Sequence, residues 1–421
     1  MKYQLLIVIL LYAFTEAADL LLGYLNLRHL KKHGQDIPPE FEGSVTAEGI
    51  EKSRNYTFVK SKFELCSSVY NQIITLVFIF GGILNYYNNL LFDWQAEYNW
   101  PFFLWGLIFI MLLSYGKSIL SAPFNLYNIF GIEKRFGFNT MTFKLWLFDT
   151  AKGFIISTII FSLLLTGAFW LVDKMPGDWW LPVWGCFLLF SLVIIYIAPY
   201  VLEPMFNKFT PLDDKNLEKI IKTTLQRAGI NIRGVYKMDA SKRTRHSNAY
   251  FTGLWRVKRI VVFDNLLETM SNEELVAVLA HEAGHCKKHH VFKNLLLFEA
   301  LSGVAAFGAY HALKYDYLTR LFGLQHDTFF AKLILLGFVA TIFFWTVSLV
   351  FNMISRRFER EADDFAMDVI GSGKPLASAL VKLSADNLSN IHPQPLYAMF
   401  HYSHPPELER VRALNAGRRQ S

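Results

Sequence analysis

Hydrophobic residues fill seven stretches of this chain, each long enough to cross a lipid bilayer as a helix. The hydrocarbon core of a bilayer takes about 20 helical residues to span, and the intervening segments are polar or mixed. The predicted spans cover residues 3–25, 65–87, 101–120, 151–172, 181–201, 295–313 and 333–354. The apolar run of the first span resumes at Leu20 and reaches Leu25, which favours a retained membrane helix over a cleaved signal peptide.

The composition also predicts a mainly α-helical membrane protein. Of 421 residues, 53% are hydrophobic and only 18% are charged, a balance too apolar for an ordinary soluble domain. The net charge of +7 is explained by lysine and arginine in cytoplasmic loops, and no basic stretch carries a nucleic-acid-binding motif. The lipid bilayer is therefore the expected partner, and nucleic acid is not. The three cysteines give no disulfide framework.

The basic residues are distributed unevenly among the connections. They are frequent between residues 28 and 62, absent between spans two and three, and present after spans three, five and seven. Because lysine and arginine concentrate in cytoplasmic loops, we expect the N-terminus outside and the C-terminus in the cytoplasm. The polar region after span five is then cytoplasmic as well. The membrane would be that of the endoplasmic reticulum in a eukaryote, or the inner membrane in a bacterium.

The sequence His281-Glu-Ala-Gly-His285 follows span five in a segment with helical features. Ser271 and Glu274 form a possible capping box at the start of this helix. Residues four positions apart share a helix face, so the two histidines can present nitrogens to one metal ion. Glu282 lies beside that face and can take a proton from a water activated by the metal. Catalytic zinc usually has three protein ligands, so a third ligand is expected elsewhere, with one Zn²⁺ per chain.

The stretch after span seven can supply that ligand. Glu359 and Asp363 are four positions apart in a segment of helical pattern, and both would face the metal side. Glu359 would bind the metal, and Asp363 would accept the second N–H of a ligating histidine. Spacing alone leaves Glu361 open as the ligand. The structural alternative is a solvated helix with arginine–glutamate pairs.

Further candidate residues flank the metal motif on both sides. An amphipathic helix over 215–228 precedes two strand-like runs at 246–253 and 259–263. The first run, with Asn248 and Tyr250, could bind an extended peptide by edge pairing or could only support the helix. Near the C-terminus, His404 and Arg410 could stabilise an oxyanion or hold a peptide carboxylate. The alternative there is a capped surface helix.

Several predicted spans carry ionisable or polar side chains, which usually face a bundle interior or a water-filled cavity. Lys117 and His311 sit near span ends and could instead reach the interface by snorkelling. The others predict a hydrated chamber between the helices. They are Glu16, Asp19, Asn85 and Glu299.

Six motifs in a fixed order give the chain a resemblance to the type I CAAX prenyl proteases, which are integral-membrane zinc endopeptidases. The resemblance covers nearly the whole length. The motifs are Glu51-Lys-Ser-Arg54-Asn-Tyr56, Ile132-Glu133 with Gly137-Phe-Asn139, Ser247-Asn-Ala-Tyr-Phe-Thr-Gly253, His281-Glu-Ala-Gly-His285, Ser355-Arg-Arg-Phe-Glu359 with Ala362-Asp363, and His401-Tyr-Ser-His-Pro-Pro406.

The resemblance implies seven helices forming a barrel around a hydrated chamber, with a cytoplasmic zincin-like metalloprotease domain. It implies zinc ligation by His281, His285 and Glu359, with Glu282 as general base. Asp363 matches a position assigned in the family as proton donor, although the residue pattern favours an orienting role. The resemblance also implies that Asn248, Tyr250 and Arg410 bind substrate and that His404 lies near the transition-state oxygen.

The expected activity is removal of the C-terminal tripeptide from prenylated CAAX proteins. The chain divides into spans one to five (1–201), a protease domain (202–294), spans six and seven (295–354) and a C-terminal part with the third ligand (355–421). One alternative is a quality-control protease that cuts unlipidated or misfolded proteins. Another is a transporter or receptor with structural zinc, but such a site needs four protein ligands, and Cys286 points away from the histidine face.

Overall fold

The computed structural model describes residues 2–252 and 259–417, which form a bundle of long helices with a smaller mixed domain. The helices are α1 Lys2–His33, α2 Ala47–Phe80, α3 Ile83–Tyr98, α4 Phe102–Leu126, α5 Phe143–Lys174, α6 Trp180–Ile197, α7 Glu203–Phe206, α8 Lys215–Arg227, α9 Asp264–Thr269, α10 Asn272–Lys287, α11 His290–Leu313, α12 Tyr317–Phe322, α13 Phe329–Ile370, α14 Lys374–Asp386, α15 Pro395–His401 and α16 Glu407–Asn415. The strands are β1 Phe209–Pro211, β2 Gly234–Met238, β3 Ala249–Thr252 and β4 Arg259–Phe263.

Within the described parts of the chain, seven helical segments are long and apolar enough to cross a membrane, which confirms the number of predicted spans. They are Lys2–His33, Ala47–Phe80, Phe102–Glu133, Phe143–Lys174, Trp180–Phe206, His290–Leu313 and Phe329–Ile370. Two of them continue through π-helical turns, at Tyr127–Glu133 and at Ala198–Leu202. Pro123 and Pro199 lie near or within these turns, where a missing N–H favours a break in the regular hydrogen-bond ladder.

The predicted end of the second span was wrong. Helix α2 ends at Phe80, because Gly82 adopts a left-handed conformation with φ of 83° and starts a new helix direction in α3. Asn85, which the sequence assigned to the span, therefore lies in α3. Its Oδ1 accepts the backbone N–H of Gln325 at 2.9 Å and joins α3 to the connection before α13.

The longest helices extend well beyond the bilayer. Helix α13 has 42 residues, a length of about 63 Å at 1.5 Å per residue, whereas the hydrocarbon core is about 30 Å thick. Its C-terminal half is therefore part of the smaller domain. The segment that carries Glu359, Glu361 and Asp363 is continuous with the seventh membrane helix.

The smaller domain contains a sheet with strand order β1-β2-β4-β3. The two predicted strands are confirmed, and they pair antiparallel with Tyr250 opposite Val261. Gly253, at the end of the first predicted run, lies outside the described residues. Strand β2 pairs parallel with β4; it and the three-residue β1 were not predicted. Among the described residues β3 forms one edge of the sheet, next to α10, and β1 forms the other.

One hydrophobic core joins the polar regions of the chain. It includes Ile50 after the first span, Leu279 of α10, Leu380 of α14 and Leu414 of α16, all buried. The predicted parts 202–294 and 355–421 both contribute to this core. The segments that follow spans one, five and seven thus meet at the same end of the bundle, as expected for spans that alternate in direction.

Polar side chains in the first and sixth spans face other parts of the protein. Glu16 accepts a hydrogen bond from Gln72 of α2, and Asp19 Oδ1 lies 3.4 Å from His401 Nε2 of α15. Glu299 is 3% exposed. The two contacts and the burial of Glu299 place these side chains toward the interior of the bundle, where the predicted chamber would lie. Lys117 and His311 are exposed, as the snorkelling alternative expects.

The predicted capping box of α10 is present. Ser271 Oγ accepts the backbone N–H of Glu274 at 3.3 Å, and Glu274 Oε2 accepts the N–H of Ser271 at 2.8 Å. The Glu274 carboxylate also accepts hydrogen bonds from Ser378 at 2.6 Å and Lys382 at 2.7 Å in α14. Burial opposes ionisation, but the hydrogen bonds from Lys382, Ser378 and Ser271 outweigh it and lower the pKa of Glu274 to about 2.

Glu274→Gln is expected to lower the free energy of unfolding by about 1–2 kcal/mol, because it weakens the cap and the contact with Lys382. The carboxylate contributes stability above its unfolded pKa near 4.5, and this stability is lost as the pH falls from there towards 2. The measurement is the thermal midpoint of the purified protein between pH 3 and pH 7. Glu273→Gln, at the exposed neighbouring position, should show no change; an equal loss in both variants would contradict the assignment.

Candidate metal centre

The metal motif lies on α10 where that helix crosses α13. Gly284, between the two histidines, allows a close approach: a Cβ atom there would lie 3.0 Å from Ala362 Cα and 3.2 Å from its carbonyl oxygen. A larger residue would push the helices apart. The close crossing brings His281 and His285 opposite Glu359, which is 4% exposed.

The three side chains face each other with metal-ligand geometry. His281 Nε2 and His285 Nε2 are 3.3 Å apart, His281 Nε2 lies 3.4 Å from Glu359 Oε2, and His285 Nε2 lies 3.3 Å from Glu359 Oε1. Tetrahedral zinc with bonds of about 2.0–2.1 Å places neighbouring ligand atoms about 3.3–3.4 Å apart. Glu359 Oε2 is buried and makes no hydrogen bond of acceptable geometry among the described residues, so a cation between these atoms would satisfy it.

The other ring nitrogen of His281 is held by a buried ion pair. Nδ1 lies 2.8 Å from Asp363 Oδ1, and Asp363 is fully buried. Arg410 of α16 donates two hydrogen bonds to the same carboxylate, at 2.9 Å from Nε and 2.7 Å from the terminal nitrogen. Burial opposes protonation of His281, but the contacts with Asp363 and Glu359 outweigh it and raise its pKa to about 9. Zinc must therefore displace a proton from this site in the neutral range.

The other ring nitrogen of His285 has a different partner, which the sequence did not reveal. His285 Nδ1 lies 3.0 Å from Nδ1 of His290, and His290 Nε2 lies 3.1 Å from Glu361 Oε2. Glu361 is not part of the group of side chains placed to hold a metal among the described residues. Among the described residues the geometry thus groups Glu359, and not Glu361, with the two histidines.

A cavity of about 500 Å³ opens onto these ligands. Glu282 lines it, and burial followed by the nearby Glu359 raises the pKa of its carboxyl group against the lowering effect of His281 and His285. His404, whose side chain is 63% exposed, lines the same cavity with Nδ1 3.0 Å from Glu359 Oε2. Glu282 and His404 thus share one cavity with the candidate metal ligands.

Of the three candidate substrate-binding residues, two line the cavity and the third does not. Asn248 lines the cavity, just before the edge strand β3. The Tyr250 side chain does not line it: its hydroxyl donates to Glu203 at 2.9 Å, and its ring packs with Met238 and Phe263. Arg410 lines the cavity but is only 7% exposed and is paired with Asp363.

Side chains from other elements hydrogen-bond the segment that precedes β3. Asn387 Oδ1 accepts the N–H of Ser247 at 3.1 Å and lies 3.2 Å from His246 Nδ1. His246 Nε2 lies 3.2 Å from Glu133, which accepts a 2.8 Å hydrogen bond from Tyr56. Sequence analysis missed Asn387, since nothing marks a single amide in a helical segment as a support for a strand 140 residues earlier.

Fold and site together define a multi-pass membrane metallopeptidase. Residues 26–208 match the family model for the CAAX prenyl protease N-terminal region with five membrane helices, and residues 211–418 match the model for peptidase family M48. CAAX prenyl protease 1 of Saccharomyces cerevisiae is 35% identical over 93% of this chain and 92% of its own, and its homologue from Homo sapiens is 33% identical over 92% and 90%. The crystal structure of S. mikatae Ste24p has a TM-score of 0.89 at 30% identity and covers 98% of this chain and 99% of that one.

This chain belongs to peptidase family M48, on the branch that includes the CAAX prenyl proteases. The predictions of a zinc-dependent metalloendopeptidase and of seven membrane helices forming a barrel around a chamber are confirmed. The substrate is a peptide or protein, handled in a membrane.

Glu359→Ala is expected to abolish stoichiometric zinc binding. Zinc sites of four protein ligands bind with about 10–16 kcal/mol, so one ligand contributes roughly 3 kcal/mol, or about two orders of magnitude in affinity. Metal analysis after dialysis against a weak chelator measures the effect. Glu409→Ala, which removes an exposed carboxylate from the nearby α16, is the control, and full zinc content in Glu359→Ala would place the third ligand elsewhere.

Proposed function

We propose that this enzyme removes the C-terminal tripeptide from CAAX proteins whose cysteine carries a prenyl group. His281, His285 and Glu359 hold the zinc in this proposal. The observation that carries it is the cavity in which this donor set, Glu282 and His404 meet beside an edge strand. Relatives named CAAX prenyl proteases, which match both the membrane and the protease parts of the chain, support the choice of substrate.

Zinc, when bound, supplies Lewis-acid polarisation of the scissile carbonyl and makes a water molecule more acidic. Glu282 takes the proton from the attacking water and passes it to the leaving amine. The raised pKa of the Glu282 carboxyl group makes it a better proton acceptor once ionised. The exposed imidazole of His404 donates a hydrogen bond to the oxyanion that forms on the substrate carbonyl.

Asp363 and Arg410 act through His281 in this mechanism. Asp363 is fully buried between the His281 ring and the Arg410 guanidinium, so it has no path to a leaving amine. We assign it the role of fixing the His281 tautomer with Nε2 free for the metal. Arg410 neutralises this buried carboxylate and is a positioning residue, which leaves no unpaired guanidinium for a peptide carboxylate.

Strand β3 provides the main-chain contacts for the substrate. Its antiparallel partner β4 occupies one side, and the other side faces the region of α10. An extended peptide can add to this edge by main-chain hydrogen bonds. Asn248 then contacts the peptide from the cavity wall, and Tyr250 contributes through its backbone.

The position of the cavity suits a lipidated peptide. His401 and Tyr402 line the cavity, and His401 also lies 3.4 Å from Asp19 of the first membrane helix. The cavity therefore borders the helix bundle. A prenyl group on the residue beside the scissile bond can lie against apolar helix surfaces while the peptide stays at the metal.

The purified zinc-loaded enzyme is expected to release the tripeptide from a peptide ending in a CAAX box only when the cysteine is farnesylated. Mass spectrometry of the products measures the cut. Glu282→Gln should retain zinc and lower kcat by at least about 10²–10⁴-fold, the usual contribution of a general base. Equal cleavage of both peptides, or scattered cuts, would instead favour the quality-control protease; unchanged turnover in Glu282→Gln would remove its assigned role.

We further propose that the metal site faces the cytoplasm, since the connections after odd-numbered spans are rich in lysine and arginine. These connections include the exposed loop with Glu42 and the whole protease domain. The connection between spans four and five, with the exposed Asp178, then faces the opposite side.

Single-cysteine variants test this orientation in sealed vesicles whose cytoplasmic face is outward. In a background with Cys66, Cys186 and Cys286 replaced by alanine, Glu42→Cys should react with a membrane-impermeant maleimide at once. Asp178→Cys should react only after detergent is added. The reverse pattern would place the protease domain on the non-cytoplasmic side.

A further inference from the structure

The two histidines of the metal motif differ in how their outer ring nitrogens are held. His281 Nδ1 contacts a carboxylate directly, at 2.8 Å from Asp363. His285 Nδ1 instead contacts another imidazole, His290, at 3.0 Å, and only His290 reaches a carboxylate, Glu361, at 3.1 Å. We propose that His290 and Glu361 are positioning residues that hold the His285 imidazole in the tautomer and orientation needed to bind zinc through Nε2. The proposal rests on the zinc site of the proposed function and not on its CAAX substrate.

The contacts between His285, His290 and Glu361 allow one consistent assignment of donors and acceptors once His285 binds a metal. A His285 ring that binds a metal through Nε2 must carry its proton on Nδ1. That N–H then donates to His290 Nδ1, which must be the unprotonated nitrogen of the second ring. His290 therefore carries its proton on Nε2 and donates it to Glu361 Oε2. Each ring is neutral in this arrangement, and every nitrogen of the two rings has a partner.

The packing around His290 fixes its ring in this position. His290 is 2% exposed, and its ring stacks on Phe358 with centroids 4.2 Å apart and planes within 7°. Glu361 is held by Arg357, whose Nε donates to Oε1 at 3.1 Å. Phe358 and Glu361 both belong to α13, the helix that also supplies Glu359.

A tight turn between α10 and α11 places His290 next to His285. His289 has a φ of 58°, which is left-handed and uncommon for a residue other than glycine. The regular helix is interrupted here, and the first residue of α11 contacts a residue only five positions earlier. The membrane helix α11 thereby begins at the outer side of the metal site.

In this proposal, three carboxylates at alternate positions of α13 contribute to the same metal site. Glu359 contacts the metal position, Asp363 orients His281, and Glu361 orients His285 through His290. Glu359 and Glu361 point to different sides of the helix, and the imidazole of His290 bridges the gap that results. Residues that orient a metal ligand typically contribute 10–100-fold in metal affinity or activity.

Two substitutions of His290 separate hydrogen bonding from packing. His290→Phe keeps an aromatic ring to stack on Phe358 but removes the acceptor for His285 Nδ1–H. His290→Asn loses the stack but can place an amide oxygen near the former Nδ1 position. Zinc affinity, measured by competition with a chromophoric chelator in the absence of substrate, should fall roughly 10–100-fold in His290→Phe. It should stay closer to wild type in His290→Asn.

Two further variants distinguish the proposed role of His290 from a general loss of structure. His289→Asn, at an exposed position whose left-handed backbone asparagine tolerates, should bind zinc as the wild type does. If His290→Phe lowers the thermal midpoint of the metal-free protein, Glu361→Leu takes its place, and it should weaken zinc binding by roughly threefold to tenfold because His290 remains.

Wild-type affinity in His290→Phe, or equal losses in the phenylalanine and asparagine variants with unchanged stability, would overturn the proposal. Failure of the wild-type protein to bind zinc would overturn the metal site itself. Absence of CAAX cleavage with normal zinc binding would affect only the substrate assignment, so the two failures are distinguishable.

Discussion

The close crossing of α10 and α13 is the contact on which the catalytic site depends. A helix that carries His281 and His285 can present two nitrogens but cannot supply the third ligand. In the proposed site that ligand is Glu359, 74 positions after His285 along the chain, and the distances near 3.3 Å among the three groups require the helices to approach closely. Gly284 against Ala362 provides this approach, since no side chain separates the backbones.

The same crossing explains how the membrane and the protease domain are joined. Helix α13 is one continuous element from Phe329 to Ile370, so the position of Glu359 is fixed by the helix bundle as well as by the soluble core. Helix α11 begins at His290, beside the other metal histidine. The candidate metal centre therefore adjoins the start of α11 and lies against α13, the sixth and seventh membrane-capable helices.

Much of this arrangement was predictable, because helical periodicity and apolar length are local properties. The seven spans, the capping box at Ser271 and the shared face of Glu359 and Asp363 all follow from spacing within single helices. The end of α2 was mistaken, because Gly82 and the apolar residues after it read as a continuous span. Strand β2 escaped notice because its stability comes from parallel pairing with β4, which depends on a tertiary contact. His290 was missed for a related reason: its contact with His285 depends on the left-handed backbone of His289, and histidine at such a position carries no sequence signal.

Burial of charge around the site couples the His281 ring to distant parts of the chain. Asp363 is fully buried, and an unpaired carboxylate there would be strongly unfavourable. Its partner Arg410 comes from α16, close to the end of the described chain, and α16 packs on the same core as Ile50 from the segment after the first span. The orientation of the His281 ring thus depends on three distant parts of the chain. These are the segment after the first span, the H-E-x-x-H helix and α16. The geometry of the site therefore depends on the assembled domain. The H-E-x-x-H helix alone would provide two histidines whose tautomers are not fixed.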